Sequence, residues 1–533
     1  MRKKIVSVLL VAVMGLCLLV GCLPGGDDAQ ELNIIDDNYR NYYEIFVGSF
    51  YDSDGDGMGD LNGVTEKLDY IEEMGFNGIW LMPIMPSPSY HKYDVTDYKE
   101  IDSAYGTLDD FKNLTEECHK RGIRLIIDMV MNHSSSEHPW FTEACEYLRN
   151  LPEGEEPDSS VCPYVDYYHF SREQVSGAYY TVTGSDWWYE GEFQYGMPDL
   201  NMESSAVRGE FEDIADFWMD MGVDGFRMDA VLYYEQDDTE KNCEILNWLY
   251  NYCKAQNPDF YMVSEAWTSK STIRDYYSSQ TPSFFNFDAG RPEGKLIAAA
   301  RSGKIESVIQ DMISYQEDFG EANPDYIDAP FLTNHDMTRV ANALVSDPVK
   351  LKSAAGLLMM MNGSPFVYYG EEIGMKSAGT KDENKRIPMY WSASDTTGMT
   401  DGPADMDSGI KSSLPSVEEQ LEDENSLLNY YKKALRLRNE NPEIARGTIA
   451  QVESLCDGTQ AAITKTYEDS TIGIVYNMGE ESITVDLAGT ELSGMEIRGY
   501  LTVNGEEVTQ SGDTLELPAR SICIVKKNEK AQG

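Results

Sequence analysis

Basic residues are scarce in this chain: 42 Lys and Arg stand against 92 Asp and Glu in 533 residues, a formal net charge of −50. A surface of that sign repels phosphate backbones, which argues against nucleic acid as a partner and suits bound cations and neutral ligands. Histidine is also rare, with six in the chain, and the nine cysteines include no C-x-x-C pair. Zinc-ribbon and dithiol redox sites are thereby set aside. No internal repeat or low-complexity array is present, which removes the repeat architectures. With 41% hydrophobic and 11% aromatic residues, the chain has ample material for a core, and its length calls for a large domain with satellites.

Only one long apolar run exists, and it lies at the extreme N-terminus. Arg2, Lys3 and Lys4 precede Ile5 to Val20, and Leu19-Val20-Gly21-Cys22 closes the run. A basic start, a run too short for a spanning helix and small residues leading into cysteine resemble a bacterial lipoprotein signal. Residues 1–21 are then a signal peptide, Cys22 is the lipid-bearing first mature residue, and 22–37, with Pro24, Gly25 and Gly26, is a tether. The protein is expected to be secreted, held to the bacterial cell membrane through Cys22 and facing outward. Export permits disulfides among Cys118, Cys145, Cys162, Cys243, Cys253, Cys456 and Cys523, but spacing does not fix their pairing.

Eight short β-branched or aromatic runs alternate with amphipathic stretches: Tyr43 to Val47, Gly78 to Met82, Arg124 to Val130, Val223 to Met228, Phe260 to Ser264, Phe284 to Phe287, Ala329 to Thr333 and Phe366 to Tyr369. Stretches such as Val64 to Met74, Thr107 to Arg121 and Ser205 to Met221 carry helical spacing. The order predicts an α/β fold, a parallel (β/α)8 TIM barrel over 38–133 and 196–446. Roughly 90 residues separate the third and fourth runs, too many for one loop and helix, so 134–195 is read as an inserted domain. Its Trp140, Trp187, Trp188 and Tyr189 read first as that domain's own core, with sugar stacking as the alternative. From 447 to 533 the pattern changes to alternating strands, and a C-terminal antiparallel β-sandwich is expected.

Chemistry-bearing residues sit at the ends of the predicted strands. The third run leads into Asp128-Met-Val-Met-Asn132-His133, the fourth into Gly225-Phe-Arg227-Met-Asp229-Ala230, the fifth into Ser264-Glu265-Ala-Trp267 and the seventh into Thr333-Asn334-His335-Asp336. These four stretches, in this order, resemble the four signature regions of the α-amylase superfamily, glycoside hydrolase family 13, and cleaving a glycoside with retention needs two carboxyl groups about 5–5.5 Å apart, one as nucleophile and one as acid then base. Arg227, two residues before Asp229 and so on the same strand face, supplies a cation to keep that acid charged, while Glu265 has to keep its proton. The resemblance covers almost all of the chain after the tether.

It implies Asp229 as nucleophile, Glu265 as acid/base and Asp336 as transition-state stabiliser. It further implies Tyr93, Asp94, His133, Arg227, His335 and Arg339 as substrate-binding residues. Lys92 departs from the pattern, since glycine is usual there and the loop geometry depends on it. Asp52-Ser-Asp54-Gly-Asp56-Gly-Met58-Gly-Asp60 places carboxylates at alternate positions among glycines. It resembles a calcium loop of oligosaccharide-acting relatives, with Asp52, Asp54, Asp56, Met58 and Asp60 as ligands. Asn132 matches another calcium ligand, so Ca2+ is the expected cofactor.

Met197-Pro-Asp-Leu-Asn201 is similar to the version found in the group intermediate between oligo-1,6-glucosidases and neopullulanases, to which several bacterial α-amylases belong. Ala230 after the nucleophile favours α-1,4 cleavage. The expected activity is hydrolysis of starch, glycogen or maltooligosaccharides by a monomer. An α-glucosidase, a 4-α-glucanotransferase and a noncatalytic glucan-binding surface protein remain as alternatives.

Overall fold

In the computed structural model, residues 37–410 and 412–527 are described. Cys22, the signal segment and the tether up to residue 36 lie outside them. At the described start, Asp37 is paired with Arg446 at 2.6 Å.

From there β1 (Tyr42–Ile45), β2 (Gly78–Leu81) and β3 (Arg124–Met129) pair in parallel and in sequence. The next stretch holds a helix, Pro139–Asn150, and a small antiparallel sheet of β4 (Phe170–Ser171), β5 (Tyr179–Thr181) and β6 (Trp188–Glu190). Parallel pairing then resumes with β7 (Gly225–Met228), β8 (Tyr261–Ser264), β9 (Ser283–Phe284) and β10 (Phe366–Tyr368), giving the order β10-β1-β2-β3-β7-β8-β9. The expected strand at Ala329 to Thr333 does not form. Two single parallel bridges, Phe285 to Ala329 and Phe331 to Phe366, join the free edges of the sheet and complete the ring. Pro330 sits between them, and a residue without an N–H cannot continue a ladder.

The strands are buried on both faces, as a filled barrel requires. Tyr42 stacks inside it between Phe366 and Tyr261, at centroid distances of 4.6 and 5.3 Å. Gly225 opens β7 because a Cβ there would lie 2.1 Å from the Tyr261 carbonyl oxygen. Outside, the helix Leu108–Lys120 begins with a Thr107/Asp110 capping box and buries Phe111, Leu114, Thr115 and Cys118. The helix expected over Val64 to Met74 is two helices, Leu61–Glu66 and Leu68–Met74, divided at Lys67. The Lys67 ammonium lies over the rings of Tyr51 and Trp391.

The C-terminal part comprises β11 (Thr448–Gln451), β12 (Gln460–Tyr467), β13 (Ser470–Asn477), β14 (Ile483–Asp486), β15 (Glu496–Thr502), β16 (Thr509–Ser511), β17 (Thr514–Leu517) and β18 (Ser521–Lys526). They make two antiparallel sheets, β11-β12-β13-β18-β15 and β14-β17-β16, which enclose Val475, Leu492, Leu515 and Cys523. A buried lysine ties this sandwich to the barrel. Lys465 of β12 donates to the carbonyls of Met360 and Ile444 and to Asn362, at 2.6–2.8 Å. Arg438 caps the neighbouring carbonyls of Met359, Met361 and Gly363.

All seven cysteines of the described residues are free. Among the described residues, no helix is long and apolar enough to cross a membrane. Replacing Lys465 by Met leaves three buried acceptors unpaired and is expected to cost about 2–4 kcal/mol, read as a lower denaturation midpoint at unchanged slope. An unchanged midpoint would show that the lysine does not carry the junction.

Candidate active site

At the C-terminal ends of the barrel strands lies a cavity of about 380 Å³, where barrels of this kind gather functional side chains. Asp229, Glu265 and Asp336 all line it, together with Tyr93 and His133. Behind them stands Arg227, only 1% exposed. Its Nη1 bonds Asp128 at 2.7 Å and Asp229 at 2.5 Å, and its Nη2 meets Glu265 at 3.1 Å. The parallel register explains this convergence: Asp128 of β3 pairs with Arg227 of β7, and Met228 of β7 with Ser264 of β8. Ala230 turns to a positive φ of 50° directly after Asp229, and its N–H donates to Glu265 Oε2 at 3.2 Å.

The acids are not equivalent. Burial lifts Glu265 to about 7, opposed by Arg227 and reinforced by Asp229 and Asp336. Burial also resists the charge on Asp336, but His335 at 2.9 Å and Arg386 at 2.9 Å outweigh it and hold that carboxyl far below the ordinary range. His335 is itself raised to about 9, because Asp336 and Glu44 overcome its burial. Tyr93 stacks on the His335 ring at 5.6 Å.

Several expected substrate contacts sit elsewhere. Arg227 and His335 stand behind the cavity wall rather than on it. Asp94 does not line the cavity either; it accepts from Ser87 at 2.7 Å and from Ser89, which ties its own loop together. Arg339 is not a cavity residue: it donates to the carbonyls of Tyr369 and Lys385 and lies on the Tyr368 ring. Arg386, which no sequence pattern singled out, takes the place at the site, bonding Asp336 and the Tyr90 hydroxyl.

His91, Phe193, Met197, Leu232, Tyr233, Trp267 and Asp382 complete the lining. His91 Nδ1 accepts the Tyr93 N–H at 3.1 Å, and burial lowers its pKa, so its second nitrogen carries the proton. His133 Nε2 is buried with no partner among the described residues, free to meet a ligand. Of the insertion's aromatics, Trp187 and Tyr189 are buried, and Trp140 packs on Tyr98 and Tyr167. Those rings are core, whereas Phe193, half exposed and unremarked in the sequence, is the one at the cavity.

Lys92 adopts the left-handed conformation, φ 63°, that glycine takes without strain. A 2.6 Å ion pair with Asp102 and the Tyr105 ring below the ammonium offset that strain. The loop therefore still presents Tyr93.

In the acidic loop, the carboxylate oxygens of Asp52, Asp54 and Asp60 gather within 4.8 Å of one another. Asp56 is outside that group and accepts the Met58 N–H. Asp52 takes the N–H groups of Gly55 and Gly57, and Asp60 caps the helix Leu61–Glu66. Three acids this close, with no cation paired to them among the described residues, fit a hard metal ion. Asn132 stands apart, donating to Asp199 at 3.2 Å.

The family model described as "Alpha amylase, catalytic domain" matches residues 44–447. Among curated relatives, "Alpha-amylase 3" of Dictyoglomus thermophilum is 38% identical over 83% of this chain and 85% of its own. "Oligo-1,6-glucosidase" of Parageobacillus thermoglucosidasius is 30% identical, over 76% and 84%. The solved structure titled "Eubacterium rectale Amy13B" is 44% identical with a TM-score of 0.90, covering 93% of this chain and 97% of that one.

The two arginines separate experimentally. Arg386→Ala is expected to lower kcat/KM about 100-fold, whereas Arg339→Ala chiefly lowers Tm, by roughly 2–4 °C. Comparable activity losses with Tm unchanged in both would return Arg339 to the substrate-binding set.

Proposed function

The chain belongs to the α-amylase family, and from that premise we propose that it hydrolyses α-1,4-glucosidic bonds of starch, glycogen or maltooligosaccharides with retention of configuration. The observation that carries this reading is the Arg227 guanidinium, which grips Asp229 and Glu265 on its two terminal nitrogens. Carboxyls held that close suit the retaining spacing of about 5–5.5 Å better than the inverting one of about 6.5–9.5 Å.

Asp229 attacks the anomeric carbon, and the bond to the leaving oxygen breaks as Glu265 gives that oxygen its proton. A glycosyl ester on Asp229 results. Glu265, now a carboxylate, takes a proton from water as the water oxygen attacks the same carbon and releases Asp229. Asp336, kept ionised by His335 and Arg386, faces the positive charge that develops on the sugar. Tyr93 and His133 contact the sugar on the cavity wall. Phe193, Leu232, Tyr233 and Trp267 offer apolar surface in the same cavity, consistent with binding by ring stacking.

Calcium, when bound, would be held by Asp52, Asp54 and Asp60 and would supply loop stability rather than chemistry. The same reading places the enzyme outside the cell, acting as a monomer anchored through lipid on Cys22.

Product analysis on soluble starch, maltotriose, isomaltose and pullulan tests the specificity. Mixed α-configured maltooligosaccharides from starch, with little released from isomaltose, is the expected result. Glucose released mainly from small substrates would make it an α-glucosidase, and longer products a transferase. Asp229→Asn is expected to abolish turnover. Because Glu265 must start protonated, kcat/KM is expected to fall as pH rises through about 7; a flat profile from pH 6 to 9 would remove Glu265 as the acid. Chelation is expected to lower Tm by roughly 2 °C or more, with Asp54→Ala abolishing that difference.

A further inference from the structure

His335 is held from both sides. Its Nδ1 lies 2.6 Å from Glu44 Oε1, and the same oxygen accepts the His335 backbone N–H at 3.3 Å. Its Nε2 lies 2.9 Å from Asp336 Oδ2 and 2.8 Å from the Tyr93 hydroxyl. That hydroxyl donates its own proton to Asp128 at 3.1 Å, so toward His335 it only accepts. An imidazole that must donate at both nitrogens is an imidazolium.

Glu44 belongs to β1 and is 1% exposed. A neutral amide there could satisfy Nδ1 as well, but it would leave the ring free to become neutral. A bare Nε2 would then face the Asp336 carboxylate. Glu44 is separated from the cavity by the ring it holds, and no sequence motif drew attention to it.

We propose that Glu44 is a positioning residue for the reaction: it keeps His335 doubly protonated, so that the ring holds Asp336 charged and in place and turns the Tyr93 hydroxyl toward Asp128. The inference rests on the reading of Asp336 as the transition-state stabiliser. A continuous chain then runs from Glu44 through His335, Tyr93 and Asp128 to Arg227, and from there to Asp229 and Glu265. The other groups that bear on the ring are Trp80 of β2, edge-on at 5.6 Å, and the charges of Asp128 and Glu265. Glu371, after β10, bears on Glu44 itself.

The test is Glu44→Gln, which conserves shape. Imidazole NMR on the substrate-free enzyme, with the His335 signal identified by its loss in His335→Gln, is expected to show the titration midpoint about one pH unit or more lower in Glu44→Gln. The deficit in kcat/KM relative to wild type is expected to be about twofold near pH 5, where the ring is protonated regardless, and about tenfold or more near pH 8. In a His335→Gln background the Glu44→Gln change should add no loss.

An unmoved midpoint, a deficit independent of pH, or the same deficit without His335 would each overturn the proposal, a lowered Tm notwithstanding. The ring titration needs no substrate. Failure of the wild-type enzyme to cleave any α-glucan would therefore count against the functional reading and leave Glu44 to be judged by NMR.

Discussion

A guanidinium at 1% exposure, bonded to three carboxyls on three barrel strands, is the constraint on which the rest of the site depends. An unpaired buried charge is strongly destabilising, and Arg227 is compensated by the three acids that converge on it. Acids that close in turn repel one another unless a cation lies between them. The parallel register of β3, β7 and β8 brings both conditions together. Burial raises both Glu265, to about 7, and Asp128, to about 6, and Arg227 opposes each shift.

The same logic governs the opposite wall. Asp336 is held strongly ionised because His335 and Arg386 contact it from two directions. His335 draws its charge from Glu44 of β1. The two walls thus share one alternating arrangement of charge, with every carboxylate touching a cation and every cation touching more than one acceptor.

Much of this was legible in the sequence. Seven of the eight expected strand runs fall within a few residues of a strand, because strands buried on both faces leave uninterrupted apolar stretches, and Asp229 and Glu265 stand where two of them end. The lapses share a cause. Arg386 comes from an irregular stretch between β10 and the C-terminal sandwich, where no periodicity marks which side chain turns inward. Arg339, implied by the resemblance, turns instead to the carbonyls of Tyr369 and Lys385. Phe193 was hidden among the insertion's other aromatics. Glu44 read as one residue of an apolar strand. Lys92 shows the converse: its departure from glycine was visible, but the compensating Asp102, ten residues on, required three dimensions.

The seam at Pro330 has a mechanical corollary. A ring hydrogen-bonded without interruption has no preferred place to breathe, but this one is closed by two single bridges at its seventh stave. Local opening is easiest where the fewest backbone bonds resist it. That stave runs directly into His335 and Asp336, so the position of the Asp336 carboxyl is tied to the closure of the ring. Amide exchange along 329–333, set against exchange in the laddered strands, reads how readily the ring opens there.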